Sequence, residues 1–159
     1  MELWDAYDSN FKKIDGVTLI RGNKIANGLF HLVCDILVTH TDGSYLILQR
    51  DKVKRFRGMW EATAGGSSLH GEAPLECAFR ELSEEMGIVA ESLTDVGREL
   101  SRQTKSIYVE FLCITDWDKK KIVLQKGETS AFRWVSKAEL LSMKQDELIT
   151  KRKIHQRAA

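Results

Sequence analysis

The stretch from Gly66 to Ile88 reads GSSLHGEAPLECAFRELSEEMGI and places three carboxylates, Glu81, Glu84 and Glu85, within five positions, with Arg80 beside them and Glu72 upstream. Pro74 suits the first turn of a helix, where a missing N–H costs little. Gly87 suits the left-handed residue just past its end. Between these signals, Leu75, Ala78, Phe79, Leu82 and Met86 recur at helical spacing and predict one apolar stripe. Glu81, Glu84 and Glu85 fall on a different face, about a third of a turn or more away. One helix is therefore expected to pack through one side and to present carboxylates on another.

Such a face is unfavourable by itself. Like charges at i,i+3 and i,i+4 cost roughly 0.2–0.5 kcal/mol per pair, and more when partly buried. A divalent cation reverses the sign of that effect, because hard ions such as Mg²⁺ take oxygen ligands. A solvated acidic face is the plain alternative for the three glutamates alone. The rest of the stretch argues for more. Gly66, five residues, Glu72, seven residues and then Arg80-Glu81-Leu82-Ser83-Glu84-Glu85-Met86-Gly87-Ile88 resembles the complete signature of the Nudix hydrolases, with all seven fixed identities and both apolar positions filled.

The resemblance implies an α/β fold, the Nudix α/β/α sandwich, with a mixed β-sheet and a loop–helix–loop that binds Mg²⁺ or Mn²⁺. It implies hydrolysis of a nucleoside diphosphate linked to another moiety, a nucleotide or a nucleotide sugar such as ADP-ribose. By the same resemblance the Gly65 carbonyl, Glu81, Glu84 and Glu85 are metal ligands, and Glu81 or Glu85 is the general base. Arg80 would hold the carboxylates by bidentate pairing, to Glu72.

A chain of 159 residues is expected to form one domain, with residues 1–28 as an N-terminal strand or hairpin extension and residues 145–159 as a C-terminal helical tail. Lys plus Arg (24) nearly balances Asp plus Glu (23), leaving a formal charge of +1 and no reason to expect nucleic acid or an anionic membrane as partner. No apolar run approaches about 18 residues, and the acidic N-terminus has no signal-peptide pattern. Cys34, Cys77 and Cys113 lie in apolar contexts without CxxC spacing, which reads as reduced thiols in a cytoplasmic protein. The expected partner is a small-molecule diphosphate. The N-terminal strand offers an edge through which a homodimer could pair.

Upstream of the signature, Met1 to Lys24 predicts a hairpin turning at Asp15-Gly16. Its ELWDAYD opening resembles a Nudix subgroup close to isopentenyl diphosphate isomerase. Leu29 to His40 is a buried-strand candidate, apolar except for His31 and Asp35, and Thr41 to Ser44 turns it into Tyr45 to Gln49. His31 is a candidate substrate contact, or else a strand-end histidine bonded to backbone. Arg50, Lys52, Lys54, Arg55 and Arg57 form a basic loop that leads into the signature glycines; Arg50, Arg55 and Arg57 are candidates to grip phosphate. Trp60, in a short strand at Met59 to Thr63, is core or a wall of the substrate cleft. Gly65-Gly66 permits close backbone approach.

Downstream, Leu93 to Ser101 and Ser106 to Asp116 read as strands, Ile122 to Leu124 as a third short piece and Phe132 to Val135 as another. Ser136-Lys137-Ala138-Glu139 is a capping box that opens a helix. Glu128 lies six residues before Trp134, where Nudix enzymes bring a further glutamate to the metals; the other reading is an exposed loop carboxylate.

Two other readings compete with hydrolysis. An isomerase of the isopentenyl diphosphate type needs a cysteine and a metal-binding histidine around the loop at Ala64 to Ser67, where this chain has Gly65 and Ser67. A nucleotide-sensing module without turnover usually has a damaged signature, and this one is whole. Selectivity is expected outside the signature, around His31, Arg50 to Trp60 and Gln103 to Tyr108.

Overall fold

The computed structural model describes residues 1–144 and 147–149. Its axis is β3 (His31–His40), whose apolar residues populate both faces, as a strand covered on each side requires. β3 pairs in parallel with β8 (Ser106–Thr115) from His31↔Ser106 to His40↔Thr115. Its other edge pairs antiparallel with β6 (Thr63–Ser67). β7 (Thr94–Ser101) extends the sheet beyond β8. Because β6 occupies that second edge, β4 (Tyr45–Arg50) leaves β3 after the pair Thr39↔Tyr45. It pairs instead with β9 (Thr129–Val135) and with the short β5 (Trp60–Glu61).

Helices cover both faces of this mixed seven-stranded sheet. On one side α1 (Pro74–Met86) sets Ala78, Leu82 and Met86 against Cys34, Ile36, Val38 and Leu48. On the other, α2 (Lys137–Ser142) sets Leu140 against Leu37, Tyr45 and Ile47. Neighbours such as Ile36 and Leu37 go to opposite clusters, as the two-residue period of a strand dictates. Full burial of each such side chain contributes roughly 1.5–3 kcal/mol. The α/β/α sandwich expected from the signature is the fold observed, and the Ser136–Glu139 capping box is made in both directions.

Four local expectations are corrected. The buried face of α1 is Cys77, Ala78, Glu81, Leu82 and Met86, whereas Leu75 is 44 % exposed; the helix is rolled so that Glu81 faces inward. The N-terminal hairpin of β1 (Leu3–Tyr7) and β2 (Lys13–Ile20) turns at Asp8 to Lys12, where Asp8 Oδ1 accepts the N–H groups of Asn10 and Lys12. Asp15-Gly16 lies inside β2, at the irregularity between Asp5↔Thr18 and Tyr7↔Lys13, with Gly16 at φ 76°. Ile122 to Leu124 forms no strand; Ile122 is buried and the Val123 N–H donates to the Met86 carbonyl, so the piece seals the end of α1. Of the expected helical tail, 145–146 and 150–159 lie outside the described residues. Leu148 is not helical, because its neighbours bond the edge of β5: Trp60 N–H donates to the Glu147 carbonyl and Ile149 N–H to the Trp60 carbonyl.

The N-terminal hairpin is a separate two-stranded sheet that buttresses the loop before α1. Buried Asp5 receives Lys13 at 2.9 Å, the Gly71 N–H at 3.0 Å and His70 Nδ1 at 2.6 Å. Burial alone would raise the Asp5 carboxyl, but these partners outweigh it and hold it below the usual range. Trp4 stacks on His31 with ring centroids 4.2 Å apart. The Ser106 hydroxyl donates to the Thr104 carbonyl and so accepts from His31 Nε2 at 2.8 Å, which sets a neutral tautomer.

Burial pushes the His31 imidazole from its ordinary 6.5 down to about 4. A depressed folded-state value means stability that is complete above the unfolded pKa and is lost as pH falls through the interval to the folded one. From about pH 7 to about pH 4.5 the protein is expected to lose about 2 kcal/mol more stability than His31→Gln, measured by urea unfolding. Equal losses in the two proteins would show that His31 carries no such burden.

Candidate active site

The site begins with two glycines in β6. Gly65 stands opposite Asp35 in the ladder, and a Cβ there would lie 1.9 Å from the Cys34 carbonyl oxygen. A Cβ on Gly66 would lie 2.4 Å from Glu81 Oε1. The missing side chains leave the space that β3 and the Glu81 carboxylate occupy. This is the physical reason that α1 turns a glutamate toward the sheet.

Arg80 compensates that buried charge. Its Nε and Nη2 donate to Glu72 at 2.7 and 3.0 Å, Nη1 donates to Glu81 at 2.8 Å and to Glu84 at 3.2 Å, and Nη2 also donates to the Ser67 carbonyl at 3.2 Å. The fork geometry of a guanidinium suits this bidentate grip. Burial would raise the Glu72 carboxyl, but Arg80 and the Leu69 N–H outweigh it and hold it below the usual range. At Glu81 the balance reverses: burial lifts the carboxyl, and the charge and hydrogen bond of Arg80 offset only part of the rise.

Glu85 lies one turn further along, and its carboxylate reaches a cavity of about 300 Å³. Burial pushes its proton affinity well above the carboxylate range, and the charges of Glu81 and Glu61 add to the rise against the Gly65 N–H. Asp35, Glu61 and Glu128 share the cavity wall with Glu85. Two cations face them: Arg50 Nη1 donates to Glu61 at 2.5 Å, and Lys54 pairs with Glu128. Phe56, Thr104, Tyr108 and Ile149 complete much of the remaining wall.

The residues singled out in the sequence divide. Gly65, Glu85, Arg50 and Glu128 meet at the cavity, with Glu81 and Arg80 close behind through Gly66 and Glu72. Glu84, with its side chain 47 % exposed, sits on the outer side of Arg80. Arg55, Arg57, Trp60 and His31 are not among the lining residues. The Arg55 guanidinium lies over the Phe56 ring at 5.0 Å, and Arg133 over the Trp60 ring at 5.2 Å on the α2 side. His31 is buried between Trp4 and Ser106. Phe56, Thr104 and Tyr108 of the wall fall within Arg50 to Trp60 and Gln103 to Tyr108, the stretches expected to carry selectivity, whereas sequence reading missed Asp35 and Glu61 as wall residues. Asp35 did leave a signal, a charge inside an otherwise apolar strand, and it is buried.

Among the described residues, no three Asp, Glu, His or Cys groups already form a metal shell. The donor chemistry nevertheless fits a hard divalent cation. The donors are oxygens, and neighbouring carboxylates crowd one another there: Glu81 and Glu61 add to the rise that burial causes at Glu85, and Glu84 and Glu72 add to the rise at Glu81. Among the described residues no helix is long and apolar enough to cross a membrane.

Residues 29–158 match the sequence profile of the NUDIX domain. An uncharacterized Nudix hydrolase of Listeria monocytogenes is 34% identical over 146 residues, covering 91% of this chain and 85% of that protein. An isopentenyl-diphosphate Delta-isomerase of Photobacterium profundum is 29% identical over 124 residues, covering 72% of this chain and 69% of that protein. The crystal structure of DR0079 from Deinococcus radiodurans is similar with a TM-score of 0.72 at 18% identity, covering 89% of this chain and 87% of that one. An intact signature, folded as a carboxylate-bearing helix against a glycine strand, and these similarities together make the chain a member of the Nudix hydrolase family.

Proposed function

We propose that this Nudix hydrolase cleaves the diphosphate linkage of a nucleoside diphosphate joined to another moiety, a nucleotide sugar of the ADP-ribose type for example, by attack of water on phosphorus with Mg²⁺ or Mn²⁺ bound. The observation that carries the reading is the convergence of two carboxylates on the glycine strand: Glu81 is buried against Gly66, and Glu85, at the Gly65 N–H, lines a cavity whose wall also carries Arg50 and Lys54. A diphosphate resists water because its own charge repels the nucleophile and because charge develops on the leaving group. The divalent ion supplies neutralisation of the phosphate oxygens, orientation of the substrate and acidification of a water.

Glu81, Glu85 and the Gly65 carbonyl would hold the ion, with Glu84 and Glu128 as the outlying members of the set. Glu85 takes the proton of the attacking water, because it is the signature glutamate that lines the cavity, beside the Gly65 N–H. Arg80 orients Glu81 through the Glu72 pair and does not meet substrate. Arg50 and Lys54 exchange their carboxylate partners for phosphate oxygens when substrate arrives. The isomerase reading is disfavoured, because among the described residues the cavity wall includes no cysteine or histidine; the three thiols are buried, Cys77 Sγ donating to the Gly66 carbonyl from behind the glycine strand. Those thiols suit a reducing compartment, and we place the enzyme in the cytoplasm.

Glu85→Gln is expected to fold at least as stably as the parent, since it removes a buried repulsion, and to lower kcat by roughly 10²–10⁴-fold. Release of nucleoside monophosphate from a panel of nucleoside diphosphate derivatives measures this, and an unchanged rate refutes the assignment of the base. Magnesium at about 100 times its Kd is expected to stabilise the protein by about 2.7 kcal/mol, read as a rise in Tm. Glu81→Gln/Glu85→Gln should lose that rise; a shift of the same size in the double variant would place the ion elsewhere.

A further inference from the structure

We propose that Tyr108 and Phe56 determine specificity by forming the aromatic walls on which the base of a nucleoside substrate stacks. The proposal deepens the hydrolase reading and rests on it for the position of the reacting diphosphate. Ladder register sets the scale. Gly65 pairs with Asp35, Asp35 with Glu110, and Tyr108 lies two residues before Glu110 on the same face of β8. Tyr108 is thus two strands across from Gly65, roughly 10 Å, and two residues along, roughly 7 Å. A ribose and its base span such an interval from a diphosphate held at Gly65 and Glu85.

Phe56 supplies the second wall from the loop after β4. It is 45 % exposed and has φ 58°, in the left-handed region that costs an L-residue roughly 1–2 kcal/mol. Two hydrogen bonds maintain that shape: the Arg50 side chain donates through Nε to the Arg55 carbonyl at 2.6 Å, and the Met59 N–H donates to the Phe56 carbonyl at 3.2 Å. The Phe56 ring, with the Arg55 guanidinium 5.0 Å from its centroid, is thus held partly exposed at a strained position on the cavity wall, where it suits a ligand contact.

The chemistry of the wall selects a base over a prenyl chain. Thr63, Thr104 and Thr129 line the cavity, and Thr104 Oγ1 lies 3.4 Å from the Tyr108 hydroxyl. A hydrocarbon chain would bury such hydroxyls without offering a polar group in return, whereas a base offers both N–H and carbonyl groups along a flat ring.

The test uses the full chain with Mg²⁺. Binding of adenosine and cytidine 5′-monophosphates is measured by calorimetry for the parent, Tyr108→Ala, Tyr108→Phe and Phe56→Ala. The ratio of kcat/KM for ADP-ribose to that for isopentenyl diphosphate is measured alongside. Removing either ring should weaken nucleotide binding and lower the ratio roughly tenfold or more, as loss of one base–aromatic stack does, and Tyr108→Phe should retain most of both. Phe56→Ala leaves the packed core untouched, so it reports even where Tyr108→Ala unfolds. A parent that binds nucleotide through these rings but hydrolyses nothing upholds the proposal and overturns the hydrolase reading. A parent that hydrolyses diphosphates with the same preference after loss of either ring, or binds no nucleotide, overturns the proposal and leaves hydrolysis standing.

Discussion

A carboxylate buried against a glycine backbone is the constraint on which the rest of this molecule turns. Glu81 can face the sheet only because Gly66 has no side chain, and it can stay there only because Arg80 reaches it. Arg80 in turn is held by Glu72, whose other bond goes to the Leu69 N–H at the start of the loop before α1. Stripping one partner from such a buried set typically costs about 3–5 kcal/mol, because it strands the others. The arrangement therefore couples the helix, the loop and the strand into one unit, and Glu85 is carried into the cavity as a consequence.

That unit is anchored from two further directions. The parallel pairing of β3 with β8 puts Asp35 beside Glu110 and brings Tyr108 to the same face as the cavity. The N-terminal hairpin holds the opposite side, with Asp5 gripping the backbone and side chain of Gly71 and His70. A mostly acidic cavity remains folded because its repulsion is distributed: Glu72 and Glu81 share Arg80, Glu61 has Arg50 and Glu128 has Lys54. At Glu85 burial raises the proton affinity, the charges of Glu81 and Glu61 add to the rise, and the Gly65 N–H opposes it.

Much of the fold was legible because its signals are local. Pro74 and Gly87 bound α1 as their backbone preferences require, the Ser136–Glu139 box opens α2, and the apolar run of β3 and the alternation in β8 located both strands to within about two residues. Where reading failed, a competing partner decided the outcome, close by in the chain at the first turn and distant from it elsewhere. Asp15-Gly16 has turn chemistry, yet Asp8 captured the turn and left Gly16 to a bulge. Ile122 to Leu124 has strand composition, yet the exposed end of α1 took its backbone bond. Leu75 fitted the apolar stripe, but the glycine floor of β6 drew the helix round toward Glu81.

The site divides in the same way. Glycine at 65 and 66, arginine at 80 and glutamates at 72, 81, 84 and 85 stand at fixed spacings along one segment, so chain order alone determined that carboxylates would gather on a helix beside a glycine turn. Which of them faces the cavity, and what faces them there, depended on contacts between segments far apart in the chain. Arg50, Lys54 and Phe56 come from the loop after β4, Glu128 from the loop before β9 and Tyr108 from β8. Only the tertiary structure could decide these neighbours, because a strand register or a loop's path follows from packing against distant surfaces, whereas helical spacing is set by the backbone itself.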